Sequence, residues 1–223
     1  MRLRRKKTVG VALGGGGARG WAHLGVLAAI EEAGIAVDFV AGTSMGALVG
    51  GIYAAGHARE LREVAVQLNG RTVLYYFLDV TFPRSGIVDG KKIVDFVRKH
   101  VQETSIEGLK IPFQAVATDV LTGEEVVIKS GDLIEAVRAS IAVPGMLTPV
   151  LRDGHVLVDG GLVNPVPVSV VRAMGADIVI AVDINHGRVG LGERAAAGKK
   201  KETPAKITFP ETPNKYLQMV SER

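Results

Sequence analysis

The amino-acid sequence predicts an α/β fold, because short apolar runs of strand length alternate with longer stretches that suit helices. The 223 residues are 47% hydrophobic, which is enough to bury one full core. Two of the strand-like runs, Val9–Leu13 and Val37–Ala41, lead through glycine-containing turns into helical stretches. Such strand–turn–helix units are typical of an open α/β sheet.

A glycine-rich loop follows the first predicted strand. The strand covers Thr8 to Leu13, the loop is Gly14–Gly20, and a helix is predicted from about Trp21 to Ala33. Because glycine leaves the backbone bare, the amides of such a loop can bind negative charge next to a helix N-terminus. The charge is either that of a phosphate or that of the oxyanion formed during acyl transfer.

The phosphate interpretation leaves a non-hydrolytic dinucleotide-binding module as one alternative. Gly15, Gly17 and Gly20 satisfy the G-x-G-x-x-G pattern after a strand, and Asp38 follows at about the distance of the acidic ribose ligand. However, a dinucleotide fold has that acidic residue at the end of its second strand, whereas Asp38 lies at the start of the second apolar run. This alternative also leaves the serine motif that follows without a role.

A serine flanked by glycines follows the second predicted strand. The motif is Gly42-Thr43-Ser44-Met45-Gly46, and it leads from Val37–Ala41 into the small-residue helical stretch Ala47–Ala55. A sharp strand-to-helix turn lifts the central hydroxyl out of the backbone, and flanking glycines let the turn close without a clash. The pattern predicts a nucleophile elbow with Ser44 at its tip.

A carboxylate with two glycines behind it ends a later strand. A hairpin is predicted from Val150–Arg152 and His155–Val158, and it leads directly into Asp159-Gly160-Gly161. Reactive groups in open α/β sheets gather beyond the carboxyl ends of strands. We therefore expect the glycine loop, Ser44 and Asp159 to face one crevice.

The remaining elements complete the predicted fold. The apolar segment Val73–Phe82 holds four of the chain's ten Phe and Tyr residues, and it fits an acyl-chain groove and ordinary core equally well. The other predicted elements are helices over about Arg59–Asn69, Lys91–Val101, Asp132–Ser140 and Pro165–Met174, a hairpin of Pro112–Asp119 with Glu124–Lys129, and a last strand at Asp177–Val182.

The three motifs in this order resemble the patatin-like phospholipase family, including its bacterial members and the neuropathy-target-esterase group. The similarity runs from about Thr8 to Asp183, with weaker matches at Ala117-Thr118-Asp119, Ala139–Pro144 and Asn164-Pro165. The resemblance implies a three-layer α/β/α sandwich with a mostly parallel central sheet. It places the hydrolase domain at residues 8–186.

The resemblance also implies hydrolysis of lipid acyl esters by a Ser-Asp dyad. Ser44 would be the nucleophile, Asp159 the base, and the amides of Gly15, Gly16 and Gly17 the oxyanion hole. A carboxylate can activate a serine directly when it is held within hydrogen-bond reach in a dry pocket, so no cofactor or metal is expected. Six further residues would support these motifs: Arg19, Gly20, Gly42, Gly46, Gly160 and Gly161.

A second alternative is an ordinary Ser-His-acid hydrolase. Its chain order is serine, acid, histidine, and His186 is the histidine that fits this order after Ser44 and Asp159. Replacement of His186 distinguishes this triad from the dyad, since a triad depends on its imidazole.

The two ends of the sequence differ in composition from the predicted domain. Residues 1–7 form a basic leader and residues 187–206 a flexible, lysine-containing linker, and residues 207–223 are expected to begin a truncated helix. The positive charges of residues 1–7 and of the linker lysines add up to more than the formal net charge of +4. The rest of the chain therefore carries a small net negative charge. The leader is either simply solvated or contacts an anionic membrane surface, and nucleic acid is not an expected partner.

The composition predicts a cytoplasmic location. The chain has no cysteine, which excludes disulfides and a thiol nucleophile, and no secretory signal is apparent at its start. Lipid or another acyl ester is the expected substrate, so peripheral contact with the inner face of the membrane is a further expectation. The pattern gives no information on oligomeric state.

Overall fold

The computed structural model describes residues 6–67, 91–101 and 105–186. Two compact units are present, Met1–Asn185 and His186–Arg223, and all described helices and strands belong to the first. Several predictions lie outside the described residues: the apolar segment Val73–Phe82, most of the basic leader, the linker 187–206 and the segment 207–223.

Seven strands and six α-helices form the described part of the first unit, and each corresponds to a predicted element with slightly shifted ends. None of these helices is long and apolar enough to cross a membrane. The strands are β1 (Val9–Leu13), β2 (Phe39–Thr43), β3 (Phe113–Asp119), β4 (Glu125–Ile128), β5 (Val150–Arg152), β6 (His155–Asp159) and β7 (Ile178–Val182). The helices are α1 (Ala22–Glu32), α2 (Met45–Ala54), α3 (Ala58–Gln67), α4 (Lys91–His100), α5 (Leu133–Ser140) and α6 (Val168–Ala173).

The strands form one mixed sheet that is mostly parallel, as predicted. β7, β1, β2 and β3 pair in parallel in that order. β4 and β6 each run antiparallel to β3, and β5 runs antiparallel to β6. Both predicted hairpins are therefore confirmed, and only β4 and β6 oppose the common strand direction.

The edges of β3 explain how distant parts of the chain meet. β3 pairs with three strands, so two of them must share one edge. β4 pairs with Ala115–Thr118. This stretch overlaps both the residues of β3 that pair with β2 and those that pair with β6, so β4 occupies the opposite edge of β3 from these two strands. β2 ends opposite Val116 and β6 ends opposite Ala117, the next residue. β2 and β6 therefore lie end to end on the same edge of β3, with their C-terminal residues adjacent.

Side chains alternate along the strands, and both faces of the sheet are buried. Val11 and Leu13 of β1 belong to the larger core, which packs against α1 to α5. Ala12, between them, belongs to a smaller core that includes Val170 and Val171 of α6. Helices thus cover the two faces, and the described residues form the expected α/β/α layers.

Candidate active site

The predicted elbow is a tight turn between β2 and α2. Ser44 adopts φ 56° and ψ −123°, a combination that L-residues rarely adopt and that costs about 1–3 kcal/mol. A Cβ on Gly42 would overlap the carbonyl oxygen of Gly46, and a Cβ on Gly46 would overlap the carbonyl oxygen of Leu13. Glycine at these two positions lets the turn close against the end of β1.

The serine hydroxyl contacts the predicted carboxylate directly. Ser44 Oγ donates a hydrogen bond of 2.6 Å to Asp159 Oδ2, and the two residues are only 9% and 7% exposed. The Gly161 N–H donates to the other carboxylate oxygen, Oδ1, at 2.7 Å. The backbone holds one carboxylate oxygen, while the second faces the serine.

The structure places Ser44 and Asp159 together, at the carboxyl ends of β2 and β6. These two strands run in opposite directions, since β2 is parallel and β6 antiparallel to β3. The two side chains meet because β2 and β6 approach each other head to head on one edge of β3. Gly160 makes this approach possible, since a Cβ there would overlap the carbonyl oxygen of Val116.

Burial changes the acidity of the carboxylate. Loss of hydration raises the pKa of Asp159 above its usual range, and the hydrogen bonds from Ser44 and Gly161 oppose this rise without cancelling it. A carboxylate with a raised pKa is a stronger base. The site therefore has the proton acceptor that a weakly acidic hydroxyl requires.

Four residues hold the backbone on either side of Ser44 and Asp159, and motif reasoning did not assign a role to any of them. The Ser44 N–H donates to Ser140 Oγ at 2.9 Å, and the Asp159 N–H donates to the Ala142 carbonyl at 2.9 Å. Thr118 Oγ1 donates to the Asp159 carbonyl at 2.9 Å. In addition, Thr43 Oγ1 donates to the carbonyl of Asn164 at 2.8 Å. The sequence held a signal for all four contacts, because Ser140, Ala142, Thr118 and Asn164 lie in the weaker family matches.

The glycine loop lies against Ser44, and its amides are not equivalent. A Cβ on Gly15 would be 3.3 Å from the Ser44 Cβ, so the loop and the elbow are in contact. The Gly15 N–H, however, donates to the Pro165 carbonyl at 2.9 Å. Gly15 must therefore be removed from the predicted oxyanion donors. The amides of Gly16 and Gly17 donate to no other described residue, and for them the prediction stands.

Three side chains fix the position of this loop. Asn185 Nδ2 donates to the Gly15 carbonyl at 2.8 Å, and Arg19 Nη2 donates to Asn185 Oδ1 at 2.6 Å. His23 Nε2 is 2.7 Å from the Gly14 carbonyl oxygen, and burial lowers the pKa of this imidazole. A neutral His23 with its proton on Nε2 satisfies that carbonyl. Arg19 thus contacts the loop through Asn185, to which no local pattern pointed.

The structure places Asp38, the acidic residue that the dinucleotide alternative requires, at the wrong end of β1. Asp38 Oδ2 accepts a 2.8 Å hydrogen bond from the N–H of Val9, the first residue of β1. The glycine loop begins after Leu13, at the other end of that strand. Asp38 therefore cannot contact the ribose of a nucleotide whose phosphates bind the loop.

The triad alternative lacks an imidazole at the expected bond. In a Ser-His-acid triad the serine hydroxyl donates to histidine, whereas Ser44 donates directly to Asp159.

Comparisons with known proteins identify a family for this chain. The model of the family described as Patatin-like phospholipase matches residues 11–172, a range that contains the glycine loop, Ser44 and Asp159. An uncharacterized NTE family protein of Mycobacterium tuberculosis is 46% identical over 182 residues, covering 82% of this chain and 50% of the relative. Human patatin-like phospholipase domain-containing protein 6 is 40% identical over 184 residues, covering 79% and 13%.

Two further matches have the same pattern of coverage. Lysophospholipase NTE1 of Mycosarcoma maydis is 43% identical over 184 residues, covering 79% of this chain and 10% of the relative. The crystal structure of VipD from Legionella pneumophila is 16% identical with a TM-score of 0.45, covering 71% of this chain and 46% of that one. The chain therefore spans half or less of the length of these proteins. The match to the family model and the identities of 40% and more show that the chain belongs to the patatin-like phospholipase family.

Proposed function

We propose that the chain is a serine acyl hydrolase that cleaves fatty-acyl esters of lipids, as a phospholipase A or lysophospholipase does. The observation that carries this proposal is the 2.6 Å hydrogen bond from Ser44 Oγ to Asp159 Oδ2 in a buried site. Membership of the patatin-like phospholipase family supports lipid as the substrate class, and one relative is named a lysophospholipase.

In the first half of the reaction, Ser44 Oγ attacks the ester carbonyl carbon while its proton passes to Asp159 Oδ2. The carbonyl oxygen becomes an oxyanion, which the amides of Gly16 and Gly17 stabilise. A well-placed donor of this kind is worth roughly 10²–10³ in rate. When the intermediate collapses, Asp159 returns the proton to the leaving alcohol, and the acyl group stays on Ser44.

In the second half, water replaces the alcohol. Asp159 takes a proton from the water, and the resulting hydroxide attacks the acyl carbonyl carbon. Collapse of this second intermediate breaks the bond to Ser44 Oγ, returns the proton to that oxygen and releases the fatty acid. The Gly161 N–H holds Asp159 Oδ1 throughout, so Oδ2 carries each proton transfer.

The proposal is tested with a fluorophosphonate probe and a series of p-nitrophenyl esters of increasing chain length. We expect the wild type to be labelled at the Ser44 peptide, as read by mass spectrometry, and to hydrolyse medium or long acyl chains. The Ser44→Ala variant should remain unlabelled, and the His186→Ala variant should be labelled and turn over substrate within about 3-fold of wild type. An unlabelled, inactive wild type contradicts the proposal, and an inactive His186→Ala variant restores the triad.

The pH dependence of turnover should reflect the buried carboxylate. Asp159 acts as a base only when it is ionised, and burial raises its pKa. The acid limb of the kcat/KM profile, which reports the free enzyme, is therefore expected above the usual carboxyl range, with activity increasing as pH rises through the pKa of the folded state. A midpoint at or below that of an ordinary aspartate would show that another group is the base.

Contact with a membrane remains a prediction from the sequence. The substrate class places the reaction at a lipid surface, and the basic residues of segment 1–7 suit an anionic one. The cytoplasmic location also remains a prediction, drawn from the cysteine-free composition.

A further inference from the structure

One short segment contacts the backbone of both residues of the dyad. Ser140 is the last residue of α5, and its Oγ accepts from the Ser44 N–H at 2.9 Å and donates to the Val116 carbonyl at 2.6 Å. Two residues later, the Ala142 carbonyl accepts from the Asp159 N–H at 2.9 Å. The same turn of chain therefore fixes the nucleophile and the base.

We propose that Ser140 is a positioning residue that sets the distance between Ser44 and Asp159. Its hydroxyl is fully buried, at 0% exposure, and its one donor and one acceptor contact are both to backbone groups. It touches no position at which a substrate would react. Its effect must therefore pass through the conformation of Ser44.

The need for this hydroxyl follows from the geometry of the elbow. β2 stops at Thr43 opposite Val116, and Ser44 turns away from the sheet with a strained backbone. Ser140 Oγ bridges the Ser44 N–H and the Val116 carbonyl at the point where β2 ends. Without the hydroxyl, both backbone groups would be buried and unpaired, which typically costs about 1–3 kcal/mol for each group. The elbow would then relax, and Ser44 Oγ would leave its place beside Asp159.

The test compares two hydroxyl-removing variants. Ser140→Ala removes the bridge, and Ser140→Cys keeps a weak donor and acceptor of similar size. Thr8→Ala is the matched control, because Thr8 Oγ1 also accepts a backbone N–H, from Asp177, and donates to a backbone carbonyl, of Gly175. Thr8 precedes β1, at the end of that strand away from the glycine loop.

The inference rests on the proposed function, so all proteins are assayed together with p-nitrophenyl esters and the fluorophosphonate probe, well below their unfolding temperatures. We expect Ser140→Ala to lower kcat and the labelling rate by about 10–100-fold with KM within about 2-fold of wild type. Ser140→Cys should recover part of this loss, and Thr8→Ala should lose stability without loss of kcat.

Two results separate the inference from the function. If the wild type is active and Ser140→Ala retains its kcat, or loses no more than Thr8→Ala, the positioning role is wrong and the proposed function is unaffected. If the wild type is neither labelled nor active, the proposed function fails and this inference fails with it. Proton exchange at the Ser44 amide gives a readout independent of turnover, since loss of the Ser140 acceptor should accelerate it.

Discussion

Replacing Asp159 by asparagine is expected to lower kcat by roughly 10³–10⁴-fold. The asparagine oxygen can still accept from the Gly161 N–H, as Asp159 Oδ1 does now. Its amide nitrogen then faces Ser44 Oγ and donates instead of accepting, so the serine proton has no acceptor. The measurement is steady-state hydrolysis of p-nitrophenyl esters with the fluorophosphonate labelling rate alongside.

The same substitution should increase stability at neutral pH, which separates loss of the base from loss of the fold. Because burial raises the pKa of Asp159 in the folded state, its protonated form is favoured by folding. The stabilising contribution is complete below the unfolded pKa and is lost as pH rises through the folded pKa. At pH 8 the wild type thus contains a desolvated carboxylate that Asp159→Asn lacks.

We therefore expect a higher unfolding temperature for Asp159→Asn at pH 8, and a difference that shrinks as the pH falls toward the ordinary carboxyl range. Thermal unfolding followed by circular dichroism at both pH values tests this. An inactive variant that is also less stable at pH 8 would indicate structural damage. An active one would show that Asp159 is not the base.

The sequence identified the fold because its local signals agree with one another. Glycines at Gly14–Gly20 and around Ser44 separate apolar runs from helical stretches, and each such turn became a strand-to-helix connection. Asp132 was predicted to begin a helix, and its carboxylate does accept from the Glu135 N–H at 2.8 Å. Signals of this kind are local, so they can be read without knowledge of the tertiary structure.

The contacts that the sequence could not predict join distant parts of the chain. The shared edge of β3 depends on the register of three strands, and no local pattern encodes that register. The occupied amide of Gly15 depends on the position of Pro165, and the loop contact of Asn185 crosses most of the chain. Motif spacing singled out Ser44 and Asp159, whereas only the packing shows that the Gly15 amide is occupied by the Pro165 carbonyl and that Ser140 contacts the turn.

Replacing Gly46 by alanine is expected to destabilise the fold by about 3–5 kcal/mol. The added Cβ would overlap the carbonyl of Leu13 and lie 2.8 Å from the carbonyl oxygen of Gly14. Both obstacles are backbone atoms at the end of β1, so no side-chain rotation can relieve the clash. Urea denaturation of the purified variant measures the loss.

Gly25→Ala is the matched control, because it makes the same change inside α1, where an added Cβ meets no atom within 4 Å. Replacing glycine by alanine inside a helix stabilises the folded state by about 0.5–1 kcal/mol. If Gly46→Ala is as stable as wild type, the elbow does not pack on β1 as described.

Leu13 directly precedes the glycine loop, and Gly14 is its first residue. Any displacement of α2 away from their carbonyls therefore also moves Ser44 relative to Gly16 and Gly17. A folded fraction of Gly46→Ala should therefore react with the fluorophosphonate more slowly than wild type, since the close approach that stabilises the turn also places Ser44 beside the glycine loop.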